Sequence, residues 1–380
     1  MRRARVLLGF AALGVFWGAW GAALPAIQRQ AGANDGELGL ALVLVGLGAV
    51  VSMRATGVVG DRVGPRLTPL TVGAFGLAGL LPALADSPGE LYLFLLVLGA
   101  TSGALDVAIN ADAVREEVRT GQPLLNLAHA SFSAAVVFAS LATGLLRSAG
   151  AGPGMVFGLA GAIVLLAAIA MRLSPGQPWE PPKDADGPKL IQRIPSWLLA
   201  IGALGALAFW IEGAWQDWAA LQLERTLDAS PLVSALGPAS FAAAMTVGRL
   251  TVHWFARPGT ERRVLVSGAV IAGAGSALAA FAPSAPIALV GIVVAGAGCS
   301  VCAPTIVSVA GRAAGAHERA TIVGSVTMLM YLGFLVGPAA VGGLAELATL
   351  RISLGAVAAL GFLLGFLFLV VRLPSPSRPR

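Results

Sequence analysis

Gly57-Val-Val-Gly60-Asp61-Arg62-Val-Gly64-Pro-Arg66 is a charged, glycine-rich turn set between two apolar runs, each long enough to span a bilayer. Glycine permits tight backbone geometry and close approach. Asp61, Arg62 and Arg66 belong at an aqueous boundary, because a charge at the bilayer centre costs at least ~2.5 to 3.5 kcal/mol. The stretch therefore reads as a short hinge joining two membrane helices.

The whole composition agrees with that reading. The chain has 380 residues, of which 57% are hydrophobic and 12% charged, with a mean hydropathy of +0.83. That leaves too little polar surface for a soluble globule of this size. The apolar segments are continuous and do not alternate, so they predict helices able to cross a ~30 Å hydrocarbon core and not barrel strands. Forty-nine glycines favour close helix contact in lipid. The net charge of +6 lies at helix ends and not on one soluble module, which argues against a nucleic-acid partner. Cys299 and Cys302 fall inside an apolar run and predict packing residues. No motif for ATP binding, metal ligation or a nucleophile elbow occurs. The expectation is a non-enzyme without cofactor or metal.

In chain order, helices are predicted near 6–27, 37–59, 67–85, 90–112, 124–146 and 154–173. The first run is too long for a signal-peptide core. Residues 174–195, rich in proline and charge, can neither cross lipid nor build a core, and read as a linker. Six more helices follow near 196–219, 231–255, 263–282, 285–308, 319–346 and 351–372, then a disordered tail at 374–380. The expected domains are 1–173 and 196–373. With the N-terminus inside, the outer loops hold only Arg29, Arg147, Arg225 and Arg351 of the 25 basic residues. The positive-inside rule therefore places both termini and the linker in the cytoplasm. The halves echo each other: Phe16-Trp17 recurs as Phe209-Trp210, and Gly57 as Gly248.

The hinge resembles the Gly-x-Leu-x-Asp-Arg-x-Gly-Arg-Arg/Lys signature of the major facilitator superfamily, with Val59 in the Leu slot and Pro65 replacing one basic residue. More locally, Ala104-Leu-Asp106-Val-Ala-Ile-Asn110-Ala, Glu212-Gly-Ala-Trp215-Gln-Asp217-Trp218 and Tyr331-Leu-Gly-Phe-Leu-Val-Gly337-Pro338 resemble the bacterial branch of fucose-permease-like, sugar-type porters. The resemblance implies an all-α fold of twelve transmembrane helices in two pseudo-symmetric six-helix halves. It implies alternating access about a central cavity, a monomeric bacterial inner-membrane protein, and proton coupling. It also implies that Asp61 acts as a gate facing the start of helix 11 near Thr321. Drug-exporter signatures on helices 4 and 5 are absent.

Several side chains are candidates for that chemistry. Ser102, Asp106 and Asn110 recur every fourth residue on helix 4 and so share a face. Asp106 is either a proton site or a packing acid held by Asn110 or Arg54. On helix 7, Glu212 and Gln216 lie one turn apart beside Asp217, Trp215 and Trp218; carboxylate, amide and indole together suit a sugar. Trp218 reads as an interface anchor. Trp17, Trp20 and Tyr331 join the predicted solute contacts. On helix 5, Asn126, His129, Ser133 and Ser140 fall near one face, where His129 is either a proton relay or a structural histidine. Gly57, Gly64, Arg54 and Arg249 complete the expected gating set, the two arginines read as gate or anchor residues and not as solute clamps. The reading is thus a proton-coupled transporter of a small polar, sugar-like solute. The alternatives are an exporter of amphiphiles and a non-transporting membrane sensor or scaffold.

Overall fold

A computed structural model describes residues 2–122, 124–173, 195–255, 259–314 and 318–374. The side chains at 61, 62, 65, 252–255, 319 and 320 lie outside that description, as do most of the expected linker and tail. Among the described residues there is no strand, and twelve helical spans are long and apolar enough to cross a membrane. They are α1 (Arg2–Gln30), α2 (Asp35–Val63), α3 (Leu67–Ala78, continued by a 3-10 turn at Leu81–Leu84), α4 (Pro88–Thr120), α5 (Leu125–Ser148) and α6 (Pro153–Leu173). The second set is α7 (Ser196–Thr226), α8 (Pro231–Phe255), α9 (Glu261–Ala280), α10 (Ala285–Ala313), α11 (Arg319–Leu347) and α12 (Leu350–Val370).

Several expected element ends need correcting, α7 running to Thr226 and α10 to Ala313 among them, and two of these shifts bear on charged segments. The charged stretch at 57–66 is mostly helix: α2 runs through Val63, and only Gly64–Arg66 forms a 3-10 turn. Gly64 has φ 62°, a backbone conformation that costs side chains other than glycine, so the turn is placed there and not at Gly57. Helix α4 also continues eight residues past the expected 112, to Thr120. Its 33 residues at ~1.5 Å each outrun the hydrocarbon core, so its last turns carry charge. There Thr68 of α3 donates to Asp112, Arg115 pairs with Asp112, and Arg119 grips Glu116 through two nitrogens. Glu117 accepts the N–H groups of Leu124 and Leu125 at the start of α5.

The chain divides into two compact units, Met1–Ala185 with Asp228–Ala239, and Asp186–Leu227 with Ser240–Arg380. In the first, α1 packs on α5 and α6, α2 on α4, and α3 on α4 and α6. In the second, α7 packs on α11 and α12, and α9 on α10 and α12; α8 lies against α10. The same pairing scheme therefore recurs at six helices' remove, as an internal repeat requires.

Lipid offers no hydrophobic drive between helices, so contact comes from close backbone approach at small residues. A Cβ added to Gly99 of α4 would lie 2.0 Å from the Val45 carbonyl oxygen of α2. Its counterpart in the second unit is Gly296 of α10, where a Cβ would come within 2.9 Å of the Phe241 carbonyl of α8. This contact pattern replaces the expected match of Gly57 with Gly248. Gly57 faces open space, whereas a Cβ on Gly248 would strike Ser300 at 2.1 Å. Overpacking of this kind costs about 1 to 3 kcal/mol. Gly99→Val is expected to lower the melting temperature of the purified protein, and Gly57→Ala, at an open helical position, to raise it slightly; a thermal-shift comparison in detergent decides.

Candidate functional site

In the first unit, α4 carries two adjacent rows four residues apart. Gly99 and Gly103 form the seam against α2, and Ser102, Asp106 and Asn110 run beside them. Ser102 is buried, while Asp106 and Asn110 are half-buried. The Asn110 side-chain amide donates to the Asp106 carbonyl at 2.8 Å and to its carboxylate at 3.1 Å. Asp106 has no ion pair among the described residues. Of the two expected holders, Asn110 is the one in contact; Arg54 is exposed on α2.

The other first-unit candidates spread apart. Trp20 is 1% exposed and sits in a packed aromatic cluster with Phe16, Phe75 and Phe157, joined by contacts from three helices. It is a core residue, and its burial removes the open face a solute contact needs. Trp17, at the cluster's edge, is half-buried. His129 is exposed, its ring edge-on to Phe10 at 5.0 Å. The expected polar row on α5 is not one lining: Asn126 is exposed, but Ser140 is fully buried and donates to the Gly18 carbonyl of α1 at 3.2 Å.

In the second unit, Glu212 is 6% exposed. The Gln216 side chain donates to its Oε1 at 2.9 Å, and Arg249 Nη2 lies 3.7 Å from the same oxygen. Oε2 has no partner among the described residues. Arg249 was expected at the inner end of α8 as a gate or anchor; its guanidinium instead reaches the buried acid of α7. Gln216 is exposed, and Asp217 is half-buried without a hydrogen bond or ion pair among the described residues. Five residues on from Glu212, Asp217 lies about 140° round the helix, off the Glu212 face.

The helix 7 tryptophans are structural. Trp215 and Trp218 are both 0% exposed, and the Trp215 indole N–H donates to Ser276 of α9 at 2.7 Å. The expected solute contact at Trp215 and the interface anchor at Trp218 both give way to core packing. The aromatic surface beside Glu212 comes from Tyr331, already among the predicted solute contacts, and from Phe209, which was not. Phe209 shares a stripe with Glu212 and Gln216, packs 4.5 Å from Phe334, and lies 5.7 Å from half-buried Tyr331. A three- and four-residue count back from Glu212 and Gln216 would have found Phe209. Cys299 and Cys302 are buried free thiols on α10, and the described residues hold no group of three metal-binding side chains.

Of the gating set, Gly57, Arg54 and Arg66 are exposed and Gly64 makes the turn. The side chains of Asp61 and Arg62 lie outside the described residues.

Twelve spans long and apolar enough to cross a membrane, in two units with repeated helix pairing, define a polytopic membrane protein built on an internal repeat. The Major Facilitator Superfamily model matches residues 6–260 and 218–380, and the chain belongs to that family. An uncharacterized MFS-type transporter of Yersinia pestis is 31% identical over 354 residues, covering 93% of this chain and 91% of its own. Among solved structures, the nucleoside transporter NupG superposes with a TM-score of 0.80 at 14% identity, covering 97% of this chain and 98% of that one. A D-xylose-proton symporter gives 0.74 at 12% identity, with 98% and 97% covered.

Loss of the Trp215 hydrogen bond should cost about 1 kcal/mol. Trp215→Phe is therefore expected to lower thermal stability modestly and leave the KM for transport unchanged. A large rise in KM with unaltered stability would return Trp215 to the solute site.

Proposed function

We propose that the protein is a secondary active transporter of the bacterial inner membrane, coupled to protons and moving a small polar, sugar-like solute by alternating access. The observation that carries this reading is the same device in both units. A mid-helix acid is held by an amide one turn further along its own helix, Asp106 by Asn110 and Glu212 by Gln216. An intramembrane acid is a functional site by default, and Asp106, restrained only by a neutral amide, can take up and release a proton without breaking an ion pair. Within the second unit, the Gln216 amide and the Phe209–Tyr331 rings add a hydrogen-bonding group and an apolar face, which suit a hydroxylated ring.

The alternatives fit less well. An amphiphile exporter calls for an apolar lining with one acid, and here two acids bring polar partners. A sensor or scaffold calls for acids locked in ion pairs; Asp106 has none among the described residues, and Glu212 has a single contact at 3.7 Å to an arginine whose side chain is 45% exposed. Cytoplasmic termini, a working monomer, and a gate built from Asp61, Arg62, Gly64 and Arg66 belong to the same proposal.

The test is uptake into proteoliposomes with and without an inward proton gradient. Asp106→Asn is expected to abolish gradient-driven accumulation while leaving solute exchange measurable; accumulation at the wild-type level would remove the proton site. Asp61→Asn should slow turnover and leave affinity for the solute unaltered, which initial rates over a range of solute concentrations will show.

A further inference from the structure

Arg249 and Glu212 leave complementary valences open. Glu212 is buried, and both of its contacts fall on Oε1. Arg249 touches it through Nη2 alone, at 3.7 Å, well beyond the ~2.7 to 2.9 Å of a charge-assisted hydrogen bond. Its Nη1 and Nε have no acceptor among the described residues. A guanidinium is a planar fork of five donors suited to bidentate carboxylate recognition. One long contact leaves nearly all of that capacity unused, and the side chain is exposed enough to be reached.

We propose that Arg249 binds the carboxylate of an acidic solute, a sugar acid or hydroxy acid, and that Glu212 takes up one proton as Arg249 leaves it. The proposal rests on the transporter reading above and names its solute class. Charge neutrality carries the argument. Without solute, the pair sums to zero. With the anion bound and Glu212 protonated, the cation Arg249, the solute carboxylate and the neutral acid again sum to zero. Binding the anion without the proton would leave Glu212 as a buried charge without its counter-ion, a state that is strongly disfavoured. The proton comes from the aqueous phase on the loading side, bonds to a Glu212 oxygen, and leaves with the anion on the other side. Transport is one proton per monoanion and electroneutral.

The titratable groups within electrostatic reach of Glu212 are Arg249 of α8 and the thiols of Cys299 and Cys302 of α10. Tyr331 of α11 belongs to the ring cluster with Phe209 and Phe334. The charged residues of α9, Glu261, Arg262 and Arg263, stand at that helix's start, where Glu261 pairs with Arg312 of α10 at 2.8 Å and Arg262 donates to the Phe368 carbonyl of α12. Asp217, on α7 itself, lies off the Glu212 face. Arg249 is therefore the one cation facing Glu212 among the described residues.

The experiment uses the full-length protein in liposomes loaded with a pH dye, challenged with matched pairs that differ in the carboxylate: D-gluconate with D-glucitol, D-glucuronate with D-glucose, and D-galacturonate with D-galactose. Valinomycin and potassium set the membrane potential to zero or inside-negative. The expected result is that the acid member of at least one pair acidifies the lumen about tenfold faster than its neutral mate, at a rate the potential does not change. Arg249→Gln should remove that response and Arg249→Lys retain part of it. Because Arg249→Gln strips the counter-charge from Glu212, the double variant Glu212→Gln/Arg249→Gln controls for folding; it should melt like wild type and show no acid-driven flux. If neutral sugars move and acids do not, or if the double variant keeps the acid response, the proposal fails while the transporter reading stands. If no member of any pair moves, both fall.

Discussion

A carboxylate within a membrane-crossing helix has to be partnered, because neither lipid nor an apolar core offers it a hydrogen bond. Asp106 and Glu212 meet that requirement locally. Asp106 and Glu212 each carry their amide four residues on, so acid and partner ride on one rigid helix. Such a pair keeps its geometry however neighbouring helices shift. Arg249 is different, since it reaches Glu212 from another helix. In the proposed cycle the amide is the permanent partner and the arginine the exchangeable one.

What aims the exchangeable partner is the glycine seam. Gly248, immediately before Arg249, sits where any side chain would strike Ser300 of α10, so the backbone of α8 is pinned against α10 at that residue. A side chain extending from a pinned backbone searches a small volume, which lowers the entropic cost of bringing its head group to an anion. In the first unit the corresponding seam, Gly99 and Gly103 of α4 against α2, flanks Ser102 and steers the polar row of α4 in the same way. Packing and chemistry are adjacent stripes of the same helices.

The spans, their order and the repeat were legible because they depend on composition over twenty residues, which a single substitution does not disturb. The ends were not: α2 ran on into the charged stretch because Asp61 and Arg62 are compatible with a last helical turn, and only Gly64, with its positive φ, stops it. Helix α4 continued past Asp112 because the acids and arginines at 112, 115, 116 and 119 are spaced to pair along a helix. The acids and their amides were readable from i, i+4 spacing. The directions of Trp20, Trp215 and Trp218 were not, since a tryptophan satisfies a core, an interface or a ligand with the same side chain; what assigned Trp215 was Ser276, 61 positions away. The Arg249 contact depends likewise on how α8 packs, which spacing along one helix does not encode.

The two units share a scaffold and differ in charge. Asp106 is restrained by hydrogen bonds alone, and Glu212 by a hydrogen bond and a cation. A hydrogen-bonded acid exchanges its proton with no change in its neighbours' charges, so nothing about the solute is implied by its protonation. An acid that shares a counter-ion cannot do so, because each proton it gains leaves Arg249 without its carboxylate partner, and each proton it loses needs that cation back beside a buried charge. In the proposed cycle, this asymmetry between two otherwise repeated units places solute selectivity on α7 and α8.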